Sequence, residues 1–450
     1  MGFAESKYNC YLNYINPPVL CNLRHRTFLS IPDNKSKIVN LLLTNPNKPD
    51  ITPEESEIKV YLKKGGFLIK DFMNEIDLLK MKFNIERAST KTLSISISPT
   101  LNCNFRCVYC FERHKKENMN ESVRDSLIKF IERESTTICY LGVNWFGGEP
   151  LLKYKFINGL SRNFIEICEN KNIRYEASMS TNGYLLSKER YERLVEDCLI
   201  GHFQITIDGD RETHDKRRPL CTGEGTFEKI LENLKDIASS KVKAKITIRI
   251  NVDKDNGDSC VRVLNVLDKE GLKDLVDFYF YPVNTLGNVN PCIAAKCFTG
   301  REYLKKFLPH FRNFVYSGFK TTEYYMLRKG FCETISPWSW SFAPDGRIYK
   351  CTNDLGNKDE SIGYLDQSGK IKWNYNLVKW LTFNPFEDEG CIRCKYLPIC
   401  MGGCPYRRFR LSNNFSCEKE CPEFEESIAK LYSLYSFQLS RNKIMKIPED

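Results

Sequence analysis

Alternating and helical hydrophobic patterns divide the chain into an amino-terminal unit, a long repeated unit and a carboxyl-terminal unit. In residues 1–91, short apolar runs alternate with helical periodicity, which predicts a small β/α module of winged-helix size. The predicted strands are Thr27–Ile31, Ile58–Leu62 and Gly66–Ile69, and the helical patterns are Lys37–Leu43 and Asp71–Met81. Two roles are open for this module: a packing cap on the next domain, or a docking site for a peptide strand at an exposed sheet edge.

Residues 92–299 repeat a strand followed by a helix, which is the pattern of a parallel sheet with outer helices. The predicted strands are Leu93–Ser98, Leu141–Phe146, Tyr175–Ser180, His202–Asp208, Lys245–Asn251 and Asp277–Pro282. The predicted helices are Ser122–Glu134, Lys153–Cys168, Lys188–Asp197, Thr226–Ala238 and Val261–Lys269. With right-handed connections, these units predict an α/β fold built as a partial (β/α)6 barrel. Catalytic groups of barrel enzymes gather at the carboxyl ends of the strands.

The rest of the sequence changes from helical periodicity to a high density of cysteine. A helical bridge is predicted over residues 300–330, and a cysteine-dense domain over 331–425. Residues 426–450 are predicted to form a closing helix and a frayed tail. The patterns behind these predictions are Gly300–Ser317 for the bridge, Pro422–Leu439 for the closing helix and Arg441–Asp450 for the tail.

Composition places the chain among ordinary soluble globular proteins. Of its 450 residues, 42% are hydrophobic and 28% are charged, and no run approaches the ~18 apolar residues of a membrane span. The start of the chain lacks the apolar core of a secretory signal, so we expect a cytoplasmic protein without membrane association. The net charge of +10 fits a solvated basic surface. No motif of aromatic and basic residues indicates nucleic-acid binding.

The 20 cysteines are the strongest chemical signal in the sequence. Disulfides are rare in a reducing compartment, so ligation of metal or of iron–sulfur clusters explains the cysteines better. Cys103, Cys107 and Cys110 follow the alternating run Leu93–Pro99 with C-x3-C-x2-C spacing. Three thiolates can hold one face of an iron–sulfur cluster and leave one metal position open. Structural zinc, the alternative, usually takes four protein ligands.

The loop Cys103–Cys110 resembles the cluster-binding loop of radical S-adenosylmethionine (SAM) enzymes. The resemblance implies a [4Fe–4S] cluster on Cys103, Cys107 and Cys110, with SAM bound to the fourth iron. Reductive cleavage of SAM would then give a 5′-deoxyadenosyl radical that removes a hydrogen from the substrate. The same resemblance places Tyr109 next to the adenine of SAM, with simple packing as the alternative.

Motifs at later strand ends resemble the segments of this family that contact SAM. Gly147-Gly148-Glu149-Pro150 resembles the segment that receives the methionine amino group, and Ser180-Thr181-Asn182-Gly183 resembles a position near the ribose. The stretch Asp208–Arg218 resembles the D-G-…-H-D-x-x-R segment of peptide-modifying members. The remaining implied contacts are Asp208 with cofactor or substrate, and Arg249 and Asn251 with the SAM carboxylate and ribose. His214 is either a general base or a structural histidine.

The carboxyl-terminal cysteines resemble the SPASM pattern, which holds two auxiliary [4Fe–4S] clusters in peptide-modifying radical SAM enzymes. The resemblance implies three [4Fe–4S] clusters in all. The inner auxiliary cluster would use Cys332, Cys351 and Cys404, and the outer would use Cys391, Cys394, Cys400 and one of Cys417 or Cys421. The inner set lacks a fourth cysteine of the family pattern. A substrate thiolate, Cys297, or the unused one of Cys417 and Cys421 could complete it.

The resemblance covers about residues 92–425 and implies a peptide maturase, most similar to thioether-forming sactipeptide and ranthipeptide maturases. Expected partners are a ribosomal precursor peptide with a cysteine-containing core and a reduced flavodoxin or ferredoxin. Residues 1–91 would bind the leader of the precursor, as similar modules do in such enzymes.

Other reactions and one non-catalytic role remain as alternatives. They are carbon–carbon or carbon–oxygen crosslinking, formylglycine formation as in sulfatase maturases, and a zinc-bearing peptide-binding scaffold. In sulfatase maturases an aspartate directly follows the cysteine that matches Cys351 and serves as the base. Here Thr352 and Asn353 follow, and Asp354 comes two positions late, which disfavours sulfatase maturation.

Overall fold

A computed structural model describes residues 2–12, 18–112, 114–283, 291–321, 330–410 and 444–446. Among its described residues, the amino-terminal module contains three antiparallel strand pairings in two small sheets, and three α-helices. Its strands are β1 Phe3–Glu5, β2 Asn9–Leu12, β3 Val19–Asn22, β4 Thr27–Ser30 and β5 Leu68–Lys70, and its helices are α1 Ser36–Thr44, α2 Pro53–Lys64 and α3 Glu75–Ala88. β1 pairs with β5, while β2, β3 and β4 form a meander.

The predicted strand Ile58–Leu62 is wrong, because these residues lie inside α2. Local signals favour the helix: the Thr52 side chain accepts a hydrogen bond from the Glu55 amide, and Pro53 occupies the first helical position. Ile58 and Leu62 then lie four residues apart on the buried face of the helix. A short apolar run cannot by itself distinguish a strand from one side of a helix.

Six parallel strands form the centre of the molecule and confirm the predicted α/β fold. They are β6 Thr92–Ile97, β7 Tyr140–Trp145, β8 Arg174–Thr181, β9 Ile200–Thr206, β10 Lys245–Val252 and β11 Val276–Pro282, and each pairs with the next. The intervening helices are α4 Glu121–Glu134, α5 Tyr154–Asn170, α6 Lys188–Cys198, α7 Arg211–Arg217, α8 Phe227–Ala238 and α9 Ser259–Lys269. Five of these helices match the predicted ones, and the short α7 was not anticipated.

The two faces of the central strands differ sharply in polarity. In β6, Leu93, Ile95 and Ile97 are buried in the apolar core, while the alternating Ser94 and Ser96 line a cavity of ≈ 550 Å³. Across the same inner face, Asn144 donates to Ser96 Oγ at 3.3 Å and accepts from Ser178 Oγ at 3.1 Å. The open interior of the sheet is therefore lined with polar side chains.

The cysteine-dense region continues the central sheet. After α10 Pro291–Ala294, α11 Gly300–Tyr316 and β12 Lys320–Thr321, the chain forms β13 Ser339–Phe342, β14 Arg347–Tyr349, β15 Gly363–Leu365 and β16 Ile371–Trp373. β13 pairs in parallel with β6, so the mixed sheet has 11 strands. This pairing covers an edge that would otherwise expose unpaired backbone groups beside the cysteine loop. Short helices follow, namely α12 Asn376–Leu381, α13 Glu389–Arg393, α14 Leu397–Cys400 and α15 Pro405–Arg410.

The tail is not wholly frayed, because Ile444–Lys446 forms a strand, β17, that pairs in parallel with β4. The predicted closing helix Pro422–Leu439 lies outside the described residues. No helix in the described part of the chain is long and apolar enough to cross a bilayer.

The amino-terminal module packs directly on the rest of the chain. Tyr8 and Phe28 share one hydrophobic core with central strands and with Tyr396. The Arg87 guanidinium, at the end of α3, donates to the Ile335 carbonyl at 2.9 Å and also to the carbonyls of Phe383 and Leu381. One charged side chain therefore connects the module to two segments of the cysteine-dense region.

Replacing Arg87 with leucine leaves these three carbonyls without their charged donor. We expect Arg87→Leu to lower the free energy of unfolding by about 1–3 kcal/mol, measured by urea denaturation. The control Lys82→Leu alters an exposed residue on the same helix and should stay within about 0.5 kcal/mol of the parent. Equal losses in both variants would contradict the role given to Arg87.

Candidate active site

The cysteine loop lies at the carboxyl end of β6 and is held by backbone contacts to the segment after α7. The Arg106 amide donates to the Pro219 carbonyl at 2.9 Å, and the Val108 amide donates to the Arg217 carbonyl at 3.0 Å. The Phe105 amide points at Cys103 Sγ at 3.4 Å. The local backbone is therefore fixed in the conformation that presents the three thiols from one loop.

The three thiols lie in a buried environment that opposes their ionisation. Burial, reinforced by Glu149, raises the pKa of Cys103 to about 12. Burial and the neighbouring Glu112 raise the pKa of Cys110, and burial also raises the pKa of Cys107 despite the opposing charge of Arg218. Thiolates at these positions require a compensating cation, such as the iron of a cluster.

The Gly147-Gly148 turn packs against the backbone of the cysteine loop. Gly147 has φ +114°, a conformation that favours glycine. A Cβ at Gly148 would lie 2.6 Å from the Asn102 carbonyl carbon and would also collide with the Asn102 oxygen. The two glycines are therefore explained by close backbone packing, in addition to any approach of a ligand.

Glu149 joins the ends of neighbouring strands. Its buried carboxylate accepts hydrogen bonds from Thr181 Oγ1 and the Asn182 amide, each at 2.7 Å, and from the Leu151 amide at 3.0 Å. A carboxylate offers about four acceptor sites, so one is left for the predicted contact with the SAM amino group. That contact stays a prediction.

Tyr109 is the centre of a buried hydrogen-bond network. Its hydroxyl contacts the Asp208 carboxylate, accepts from Arg218 Nη1 at 2.6 Å and lies 3.0 Å from Asn251 Nδ2. Asp208 also accepts from the Asn251 amide at 3.0 Å. The sequence predicted an aromatic ring beside adenine but missed this role of the hydroxyl. The sequence signal for this role was the presence of two polar residues, Asp208 and Asn251, at the ends of neighbouring strands.

Two buried arginines add positive charge beside the loop. Arg217 donates to both oxygens of Asp253, at 3.0 and 2.8 Å, and its guanidinium lies 5.0 Å from the centre of the Tyr109 ring. Arg217 Nη2, Arg218 Nε and Asn104 Nδ2 are buried donors without a hydrogen-bond partner among the described residues. Such donors fit an anionic group at this site, and the cysteines fit a cluster.

His214 has a structural role in this arrangement. Its Nδ1 accepts from the Asp208 amide at 3.2 Å, and its Nε2 faces Thr226 Oγ1 at 3.1 Å. The Thr226 hydroxyl donates its hydrogen to the Arg218 carbonyl, so towards His214 Nε2 it can only accept. His214 is therefore the neutral tautomer with hydrogen on Nε2. Burial and the two arginines keep its pKa well below the usual value. Both nitrogens are occupied, and the general-base role is not supported.

The remaining predicted contacts lie at the same end or inner face of the sheet. Arg249 Nε donates to Asn251 Oδ1 at 2.8 Å, and its guanidinium lies 4.0 Å from the Tyr281 ring centre. Asn182 Nδ2 donates to Asn104 Oδ1 at 2.9 Å, next to the cysteine loop. Ser180 Oγ lies 3.5 Å from the Gln204 amide nitrogen. Their predicted contacts with SAM remain predictions.

The structure also groups the auxiliary cysteines. Burial raises the pKa of Cys351 well above its usual value, and the adjacent Cys332 and Cys404 add to the effect. Cys391 and Cys400 are likewise electrostatic neighbours, and Arg408 donates to Cys391 Sγ at 3.1 Å. Cys394, the remaining described member of the predicted outer set, acts on the pKa values of Lys7 and Tyr8. Ligation of two clusters by these cysteines stays a prediction.

Three cysteines considered as further ligands lie elsewhere. Cys417 and Cys421 lie outside the described residues. Cys297 is next to Asp253 and Lys254, beyond the end of β10, whereas the inner set flanks β13 and β14. These positions are five strands apart in the sheet order. Completion of the inner set by Cys297 stays an untested alternative.

Within the described ranges, no three His, Cys, Asp or Glu side chains form a group that could hold a single metal ion.

Comparison with known proteins defines the class of the chain. Residues 97–267 match the Radical SAM superfamily. This stretch contains the cysteine loop, the Gly147-Gly148 turn and the Tyr109 network. The chain therefore contains a radical SAM domain, and this family implies a [4Fe–4S] cluster and SAM.

Individual relatives extend the similarity beyond that domain. The chain is similar to the cysteine-type anaerobic sulfatase-maturating enzyme of Clostridium novyi (strain NT), with 26% identity across 76% of this chain and 96% of the relative. It is also 22% identical to the radical SAM cyclopropyl synthase TigE of Paramaledivibacter caminithermalis, across 75% of this chain and 74% of the relative. Among solved structures, native anSMEcpe with bound AdoMet and Cp18Cys peptide shares the fold, with TM-score 0.56, 19% identity, and coverage of 77% of this chain and 97% of that one.

The contact between Gly148 and Asn102 can be tested by adding one methyl group. We expect Gly148→Ala to displace the cysteine loop, at a cost of about 1–3 kcal/mol, and to lower the iron bound per chain after anaerobic reconstitution. The control Gly159→Ala lies in α5 with open space around its Cβ. It should retain iron and gain about 0.5–1 kcal/mol of stability. Parental iron content in Gly148→Ala would contradict the packing argument.

Proposed function

We propose that the chain is a radical SAM enzyme that modifies a ribosomally made peptide, forming thioether crosslinks from cysteine. The observation that carries the proposal is the position of the cysteine loop. It lies at the carboxyl end of an open sheet whose inner face carries polar side chains, beside two buried arginines with individual donor atoms that have no hydrogen-bond partner among the described residues. A polar interior suits the amides of a peptide better than an apolar substrate. When bound, SAM and the first cluster would supply the hydrogen-abstracting radical, and an auxiliary cluster would accept one electron.

The chain's own residues hold and orient the reactants in this proposal. Cys103, Cys107 and Cys110 ligate the first cluster, and the Tyr109 network fixes the loop relative to Asp208 and Asn251. The donors of Arg217 and Arg218 that lack partners face the anionic groups. Glu149 and Ser180 keep the predicted contacts with SAM at the adjacent strand ends. The proposed reaction removes two hydrogens from the peptide and forms one carbon–sulfur bond.

Two auxiliary clusters and a peptide-binding module complete the proposal. Cys332, Cys351 and Cys404 would hold the inner cluster, which would supply iron that favours thiolate ligands such as a substrate cysteine. Cys391, Cys394 and Cys400 hold the outer cluster with Cys417 or Cys421. The amino-terminal module binds the leader of the precursor, and a reduced flavodoxin or ferredoxin supplies electrons in the cytoplasm.

Formylglycine formation is a second candidate, favoured by the similarity to sulfatase-maturating enzymes. The surroundings of Asp354 argue against it. Asp354 is 2% exposed, and Arg410 Nη2 donates to its carboxylate at 2.6 Å. Burial raises its pKa to about 6, although Arg410 opposes that shift. The Arg410 guanidinium favours the charged form of this buried carboxylate and occupies one of its oxygens, which opposes transfer of a substrate proton to Asp354.

Removal of one thiol from the cysteine loop should stop the reductive cleavage of SAM. We expect Cys107→Ala to abolish production of 5′-deoxyadenosine from SAM under reducing, anaerobic conditions, measured by chromatography. The control Cys139→Ala removes an exposed thiol outside every motif and should keep the parental rate. Unchanged production by Cys107→Ala would remove the basis for the cluster assignment.

The bond formed can be identified from the product. With a cysteine-containing precursor encoded beside the gene, we expect each crosslink to lower the mass by two hydrogens and to remove one thiol that iodoacetamide can alkylate. Formylglycine would instead give an aldehyde that reacts with a hydrazine. Carbon–carbon crosslinking would lose two hydrogens and keep every thiol. Either of these products would refute thioether formation.

A further inference from the structure

The meander of the amino-terminal module is covered on both faces. Leu29 and Leu20 pack with the helices α1 and α2 in a local core. On the opposite face, Phe28 and Cys21 belong to the main core shared with the rest of the chain. Because neither face is open, an additional peptide segment can join this sheet only at an edge.

One of the two edges already carries a strand from the far end of the chain. Ile444, Met445 and Lys446 of β17 pair in parallel with Phe28, Leu29 and Ser30 of β4. The strand order is therefore β17, β4, β3 and β2, and without β17 the edge of the sheet would be β4. β17 is three residues long, so few backbone hydrogen bonds hold it.

We propose that Ile444–Lys446 is an internal ligand of the β4 edge and competes there with an extended peptide that adds to the sheet in parallel. The partner is a peptide segment of at least three residues with free backbone amides and apolar side chains. The identification of the natural competitor as the leader of a precursor rests on the proposed function. The occupation of the edge by the tail is independent of that function.

Competition has a quantitative consequence. A segment of the same chain binds its docking edge intramolecularly, so it acts there at an effective concentration that does not depend on the amount of protein in solution. The apparent affinity for a peptide added in solution is then reduced by the fraction of molecules whose edge is free. Releasing the tail should therefore tighten binding of an added strand without changing the edge itself.

The test uses the tail sequence as the probe. A fluorescein-labelled peptide of residues 441–450, RNKIMKIPED, is titrated into the full chain and into the double variant Ile444→Pro, Met445→Pro, with polarisation as the readout. Successive strand residues direct their amides to opposite sides, so one of these prolines removes a donor that faces β4. We expect the variant to bind the probe at least about tenfold more tightly than the parent.

Two controls keep the result specific. The double variant Glu449→Pro, Asp450→Pro places the same residues beyond the strand and should bind the probe like the parent. A chain ending at Asn442 should behave like the Ile444→Pro, Met445→Pro variant, which excludes an effect of the prolines themselves. A probe carrying both prolines at the positions of Ile444 and Met445 should not bind.

Hydrogen exchange locates the binding. Amides of Thr27–Ser30 should be protected in the parent, exchange faster in the Ile444→Pro, Met445→Pro variant and regain protection when the probe is added. Equal probe affinities with unchanged exchange in β4 would overturn the proposal, as would protection of Asn9–Leu12 in place of β4. If the probe displaces the tail from β4 but the precursor does not, the tail assignment is upheld and leader docking at this edge is contradicted.

Discussion

The site depends on a close backbone contact between two neighbouring strand ends. The turn at Gly147 and Gly148 lies so near Thr100 and Asn102 that a Cβ has no room, and the Gly148 and Glu149 amides donate to the Thr100 and Asn102 carbonyls at 3.1 and 2.9 Å. A parallel sheet brings consecutive carboxyl ends to one edge but does not fix the loops there. These hydrogen bonds fix the start of the cysteine loop.

Charge balance around Tyr109 fixes the other end of that loop. Arg217, Arg218, Asp208 and Asp253 are all buried, and burial of unpaired charges would be costly. Arg217 is paired with Asp253, while Tyr109 lies between Arg218 and Asp208. Several donors of the arginines still lack partners among the residues described. An anionic group at this place would give those donors hydrogen-bond acceptors.

Periodicity predicted the elements that bury one face against a core. All six central strands and five of their helices follow from alternation and helical spacing, because each has one apolar side. Cysteine spacing placed Cys332, Cys351 and Cys404 in one set, and the charges of Cys332 and Cys404 act on the pKa of Cys351; their ligation of one cluster stays a prediction. Features that depend on distant parts of the chain were missed. The pairing of β13 with β6 and the hydroxyl network of Tyr109 have no local pattern, and the run Ile58–Leu62 was compatible with either type of element.

Sheet edges connect these observations. The long sheet covers β6 with β13, so the strand that carries the cysteine loop is paired on both sides and the loop starts from a rigid element. The small sheet covers β4 with a strand of only three residues from the end of the chain. The two pairings differ in position more than in length, because β13 has four residues and is itself paired with β14, whereas β17 has three residues and ends its sheet in the described part of the chain. A terminal strand is paired on one side only, so its release breaks fewer backbone hydrogen bonds than release of a strand inside the sheet.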